Sequence, residues 1–180
     1  DVTHEILKNI SFKQVMLEKP VSYDKGLASD IFELLSNRST RFIINYQRNW
    51  DRGYEKIYQW VCENKVTDGY FRTSTAIAQS GSHMVELILR LFPEVCVKNS
   101  MSIVSKRLVG NEVAEPGAVI HFSDDNVNLF SIYDSSDINE FTFSGVIYSD
   151  DSKVSFDEGI GEVIVAEKKL GNARIGPQIT

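Results

Sequence analysis

The pattern of apolar residues changes character at Pro93, and that change limits the chain to a fold in which helices come first and strands follow. Leu27, Ile31, Phe32, Leu34 and Leu35 recur at helical spacing, with Ser22 or Asp24 able to cap the helix start. Asp51 is placed to cap a second helix through Tyr54, Ile57, Tyr58 and Val61, and Gly69 offers a turn before the segment Phe71 to Ala78. Ser82 is placed to cap an apolar helix through Met84, Val85, Leu87, Ile88 and Leu91. That helix has to end near Phe92, because proline disfavours helical geometry in the residue before it. Beyond Pro93 the runs are short and rich in β-formers: 95–97, 101–104, 119–122, 127–133 and 160–166. Phe141, Phe143, Gly145 and Ile147 alternate with Thr142 and Ser144, as in a half-buried strand. The reading is an α+β fold, an N-terminal helical cluster followed by a mostly antiparallel sheet. It forms one domain over 1–180, mainly helical to 93 and mainly β from 94.

With 42% apolar and 24% charged residues, the 180-residue chain has the composition of a globular domain, and no apolar run approaches the roughly 20 residues of a membrane span. Its ends, Asp1 and Thr180, read as those of a fragment excised from a longer chain. Cys62 and Cys96 lack zinc spacing and stand in apolar surroundings, so they are expected to be buried thiols in a reducing compartment. The sequons at Asn9 and Asn37 are too short a pattern to imply secretion. Charge is divided unevenly. Residues 1–110 carry 15 basic and 12 acidic residues, whereas residues 111–180 carry 4 and 13, which points to two faces with different partners or to well-solvated acidic loops.

Phe42, Tyr46, Trp50, Tyr54 and Tyr58 fall at four-residue steps, interleaved with Arg38, Arg41, Arg48, Arg52 and Lys56. Aromatic rings stack on unpaired bases and cations neutralise phosphates, so this is the composition of a single-stranded RNA surface; core rings with solvated cations at their flank give the same letters. Asp157, Glu167 and Lys169 could serve a metal-dependent nuclease, but they equally describe a charged hairpin end. His4, His83 and His121 have no nucleophile motif beside them, and Gly159-Ile160-Gly161 precedes a strand instead of joining strand to helix. No catalytic residue, metal site or cofactor is therefore assigned.

The order Gly69-Tyr70-Phe71-Arg72-Thr73, a helix ending Leu89-Arg90-Leu91-Phe92-Pro93, Glu115-Pro116-Gly117, the strand Val119 to Ser123, the strand Glu162 to Ala166 and Gly176-Pro177 resembles a known domain. It is similar to the C-terminal host-adaptation domain of the cap-binding subunit of orthomyxovirus (influenza-like) RNA polymerases, over residues 54–180. The resemblance implies a helical cluster before a curved sheet. It also implies a non-catalytic module working in the host nucleus with other polymerase subunits, a host nuclear protein, and RNA or nucleoprotein. Arg38, Arg41, Arg48 and Arg52 would then contact RNA, and the loop at Lys98, Asn99 and Ser100 would face the host factor. Members of that family are basic and this chain is not, which confines any RNA surface to the first half. An acidic interaction or inhibitor domain and the metal nuclease are the alternative readings.

Overall fold

The computed structural model describes residues 2–74, 80–103, 108–109, 112–113, 117–133 and 142–166. The chain divides into two compact units, Asp1–Gln47 and Arg48–Thr180.

The first unit runs α1 (Val2–Asn9), β1 (Gln14–Glu18), α2 (Lys25–Asn37) and β2 (Arg41–Asn45), with β1 and β2 parallel and in register Gln14↔Arg41 to Glu18↔Asn45. Both strands lie where only helix was expected, because Phe42-Ile43-Ile44 and Val15-Met16-Leu17 are β-formers bounded by turn residues. Asp24 caps α2 through a carboxylate oxygen that accepts from the Leu27 N–H at 3.0 Å. Thr40 Oγ1 donates to the Phe12 carbonyl at 3.0 Å, which pins the entry to β2 beside the exit of α1. The core of this unit is small: Leu7, Leu17, Ile31 and Leu35.

The second unit continues from the short 3-10 segment Gln47–Trp50 into α3 (Arg52–Glu63), β3 (Val66–Thr73), α4 (Ser82–Leu91), β4 (Cys96–Ile103) and the small hairpin β5 (Leu108–Val109) and β6 (Glu112–Val113). It then adds β7 (Gly117–Ser123), β8 (Asn128–Tyr133), β9 (Phe143–Ser149), β10 (Lys153–Asp157) and β11 (Glu162–Ala166). Seven strands form one sheet in the order β11-β10-β9-β3-β8-β7-β4, antiparallel except for the pair β3 and β8. The expected α+β arrangement is present, and the sheet does not close into a barrel.

Two expected breaks are corrected. Gly69 is not a turn; it sits within β3, where a Cβ would lie 2.8 Å from Leu129 Cδ2, so strand packing requires its lack of a side chain. Ser82 does not cap α4: the N-cap is Gly81, without a side-chain cap bond. The other boundaries agree with expectation. Asp51 Oδ1 accepts from the Gly53 N–H at 2.6 Å at the head of α3, and α4 stops at Phe92, before Pro93.

The main core joins α3 and α4 to one face of the sheet through Tyr54, Ile57, Trp60, Met84, Leu87 and Ile88 from the helices and Phe71, Phe122, Leu129, Phe143, Ile147 and Phe156 from the strands. Both cysteines are exposed, which corrects the expectation of buried thiols. Cys62 lies on the outer side of α3, and Cys96 opens β4, which among the described residues is an edge strand.

Candidate functional site

The four arginines assigned to RNA are divided between the units, Arg38 and Arg41 in the first and Arg48 and Arg52 in the second. Arg38 closes α2 and its guanidinium donates to the carbonyls of Leu7, Lys8 (2.8 Å) and Ile10 (3.2 Å), so it caps the carboxyl end of α1. Arg41 is exposed on β2, and Arg52 is exposed at the first position of α3. The aromatic series falls on three kinds of element and not on one continuous helix. Phe42 is on β2 and stacks on Phe32 at 5.5 Å, Trp50 ends the 3-10 segment at 67% exposure, and Tyr54 is buried on α3. Lys98, Asn99 and Ser100 are not a loop; they lie on edge strand β4, with Lys98 at the irregularity where its register against β7 shifts.

Arg48 has a different role. Its Nε and Nη2 donate to Glu158 Oε1 and Oε2 at 2.5 and 2.6 Å, and the guanidinium carbon lies 3.6 Å above the centre of the Phe143 ring. Tyr54 Oη donates to the same Glu158 oxygen at 2.6 Å. Burial, reinforced by that carboxylate, pushes the Tyr54 phenol well above its ordinary pKa, while Arg48 opposes the shift. Beside this cluster Asn49 Nδ2 donates to Glu86 Oε1 at 2.8 Å and Arg90 Nη1 donates to Asn49 Oδ1 at 2.9 Å. These bonds tie the 3-10 segment to α4 and to the β10–β11 turn. With its Nε/Nη2 edge on Glu158 and one face over Phe143, Arg48 is engaged within the fold of the second unit.

Two other places gather polar groups in the setting where α/β proteins bind ligands, beyond the carboxyl ends of parallel strands. In the first unit the ends of β1 and β2 present Glu18, half-buried Lys19, Asn45 and Tyr46, with Asn45 Nδ2 donating to Glu18 Oε1 at 2.6 Å. A signal was present in the sequence: an alternating strand, then Glu18-Lys19-Pro20, then a helix capped by Asp24, is a strand–loop–helix order that exposes the loop at a strand's carboxyl end. In the second unit the ends of β3 and β8 carry buried Thr73, Ser74, Ser131 and Tyr133. His83, in the first turn of α4, is also buried.

The Tyr133 hydroxyl is fully buried and neither it nor Ser131 Oγ has a hydrogen-bond partner of good geometry; burial pushes the phenol up to about 12, and nearby Ser131 eases the shift only in part. A phenol pKa raised on folding favours the neutral form. Its contribution to stability is complete below the ordinary value of about 10 and is lost as pH climbs towards 12. Tyr133→Phe is expected to leave stability at pH 7 within ~1 kcal/mol, because no hydrogen bond is broken, and to remove part of the alkaline loss. Urea midpoints at neutral pH and above pH 10 check both halves. Among the described residues no group of three or more His, Cys, Asp or Glu is arranged to hold a metal, and Glu167 and Lys169 lie outside them. No helix among these residues is long and apolar enough to cross a membrane.

The fold, helices on one face of a mixed, largely antiparallel sheet together with a parallel β–α–β unit, is similar to that of solved dehydrogenase and oxidoreductase structures. Among them is an inositol dehydrogenase homolog from Azotobacter vinelandii complexed with NADH and myo-inositol (TM-score 0.73, 11% identity, 95% of this chain and 53% of that one). D-galactose-1-dehydrogenase from Rhizobium etli matches with a TM-score of 0.69 at 13% identity over 92% of this chain and 59% of that one. A dehydrogenase from Clostridium difficile matches at 0.68 and 12% identity, over 95% and 61%. The chain thus spans about half to three fifths of the length of these structures. No family model and no curated protein sequence matches.

These likenesses overturn the orthomyxovirus reading, and with it the viral, polymerase-associated, non-enzymatic module; the inhibitor and nuclease alternatives gain no support either. The pieces that carried the resemblance are generic. Gly69 to Thr73 is the central strand of a sheet, Leu89 to Pro93 is a helix stopped by proline, and Val119 to Ser123 is an alternating strand. Any helix-on-sheet layer produces such letters.

Proposed function

We propose that this chain is part of an oxidoreductase that moves a hydride between a nicotinamide cofactor and a hydroxyl-bearing carbon of a polyol or sugar. The observation that carries the reading is the match of 92–97% of the chain to dehydrogenase and oxidoreductase structures at TM-scores of 0.68–0.73. Cofactor and substrate class follow the titles of two of them, one holding NADH and myo-inositol and the other named for D-galactose.

The first unit supports this reading. Parallel sheets are normally covered on both faces, yet paired Met16 and Ile43 are 60% and 51% exposed, and four buried residues make a very small core. Such a β–α–β piece suits the end of a larger parallel sheet of the dinucleotide-binding kind. The β1–α2 connection, Lys19 to Asp24, contains no glycine, so it offers no cradle for a pyrophosphate. Lys19 and Tyr46, at the carboxyl ends of β1 and β2, instead fit the polar nicotinamide end or a substrate hydroxyl. When bound, the nicotinamide supplies or accepts the hydride. Lys19 has three donors on a flexible stem and is assigned to orient the reacting hydroxyl.

The test uses the full-length protein of which this chain is part, with NAD+ and NADP+ against a panel of cyclitols, aldoses and their oxidised forms, read at the nicotinamide absorbance band, with cofactor binding followed by fluorescence. Turnover is expected on at least one polyol or sugar. Lys19→Ala should lower kcat/KM by about 100-fold or more without changing the melting temperature. Neither binding nor reduction of either cofactor anywhere in the panel would refute the assignment.

A further inference from the structure

Glu18 and Asn45 are the last residues of β1 and β2, and they oppose each other in the final pair of the parallel ladder. Beyond them the two chains part. Pro20 has no N–H with which to carry the ladder on from β1. On the other strand the Tyr46 N–H turns back onto the Ile44 carbonyl at 3.0 Å, which takes the chain out of line. The ladder therefore ends one residue before Lys19 and Tyr46, the pair assigned to the nicotinamide end or the substrate hydroxyl. A side-chain bond takes over at that point: Asn45 Nδ2 donates to Glu18 Oε1 at 2.6 Å. A hydrogen bond to an ionised carboxylate is shorter than one between neutral groups and about twice as strong.

Packing gives the end of β2 little other support. The buried core of this unit is Leu7, Leu17, Ile31 and Leu35, none of them on β2, and Asn45 itself is only half-buried. A group that orients a reacting hydroxyl has to be held to about 0.5 Å, and a displacement of ~1 Å costs on the order of 100-fold in rate. The bond between the strand ends is placed to meet that demand, because Lys19 and Tyr46 each follow one of its two members directly in the chain. We propose that Asn45 is a positioning residue: by holding Glu18 it joins the carboxyl ends of β1 and β2 and sets the spacing between Lys19 and Tyr46. The inference rests on the hydride-transfer reading for what those two side chains do, whereas the joining of the strand ends is independent of it.

The test is made on the full-length protein. Hydrogen–deuterium exchange of peptides covering 14–22 and 41–48 is measured beside steady-state kinetics on the polyol or sugar that it turns over. Glu18 is exposed and Asn45 half-buried, so substitutions there leave the fold in place, which thermal melts check. Asn45→Asp sets a second carboxylate against Glu18. It should speed exchange at both strand ends and lower kcat about 10-fold or more, with KM and cofactor affinity within about twofold of the parent. Adding Glu18→Gln to Asn45→Asp exchanges donor and acceptor across the strands. That double variant is expected to restore slow exchange and roughly half or more of the parent kcat, a coupling that two independent losses would not show. Unchanged exchange in Asn45→Asp would overturn the joining of the strand ends. A double variant as slow as the single one would overturn the positioning role, since a need for the Glu18 charge alone predicts that result. A change in KM or cofactor affinity with kcat intact would overturn it too, by assigning Asn45 to binding. A parent inert throughout the panel would take down the hydride-transfer reading and the spacing role with it, while the exchange result would still decide whether Asn45 holds the strand ends.

Discussion

Replacing Glu158 with alanine is expected to destabilise the sheet unit by about 3 kcal/mol and lower its Tm by roughly 10 °C, because it strands buried partners of a charge pair. The side chains of Arg48 and Glu158 are only 14% and 28% exposed, so water replaces little of what the carboxylate supplies. Without it the guanidinium sits over Phe143 with no anion, and the Tyr54 phenol loses its acceptor at 2.6 Å. Glu158→Gln keeps the shape and one acceptor, so about half the loss is expected. The comparison is Asp150→Ala. Its ion pair with Lys65 spans 4.0 Å between side chains 63% and 79% exposed, and its loss should cost no more than ~0.5 kcal/mol. Equal losses for Glu158→Ala and Asp150→Ala in urea titrations would show that the cluster does not hold the β10–β11 turn in place.

Gly145→Ala is expected to cost a further-reaching ~2–3 kcal/mol through overpacking. A Cβ at this position would lie 2.6 Å from Phe156 Cε1 and 2.7 Å from Phe71 Cδ1. Those rings are 4% and 2% exposed and meet at 6.4 Å across the glycine, so neither can swing into solvent. The methyl group must displace a packed ring or push β9 away from β3 and β10, between which it is hydrogen-bonded. Gly161 is the useful contrast. Its φ is +70° and nothing lies within 4 Å of the Cβ position, so Gly161→Ala carries only the left-handed backbone cost of about 1–2 kcal/mol. Phe156→Leu placed behind Gly145→Ala should recover part of the loss, a positive coupling readable in a double-mutant cycle. If the two changes simply added, ring contact would not be the reason for the glycine.

Much of the layout was legible from local pattern. The switch at Pro93, the caps at Asp24 and Asp51, and the alternation from Phe143 to Ile147 are set by interactions within a few residues: a proline ring against its predecessor, a carboxylate reaching the next turn, a side-chain period of two. What misled was also local. A four-residue aromatic spacing says helix only if the backbone is helical throughout. Phe42, Trp50 and Tyr54 instead fall on a strand, a 3-10 segment and a helix, because Phe42-Ile43-Ile44 gains more by pairing with β1 than by continuing a turn.

The candidate site was less legible, because its partners are distant in the chain. Arg48 looked like a free cation until folding brought Glu158, 110 residues later, to its guanidinium. Lys19 gained meaning only when β1 and β2 proved parallel, which places the residue at a carboxyl edge. The sequence alone determined the helices α2 to α4 and the main strands after Pro93, since caps, breakers and periodicity act over one or two turns of chain. Only the tertiary structure decided strand order, the parallel pairings, the spacing between the rings of Phe71 and Phe156 that a glycine must fill, and the bond between Glu18 and Asn45. Those depend on which distant residues share a surface, and no short-range energy term specifies that.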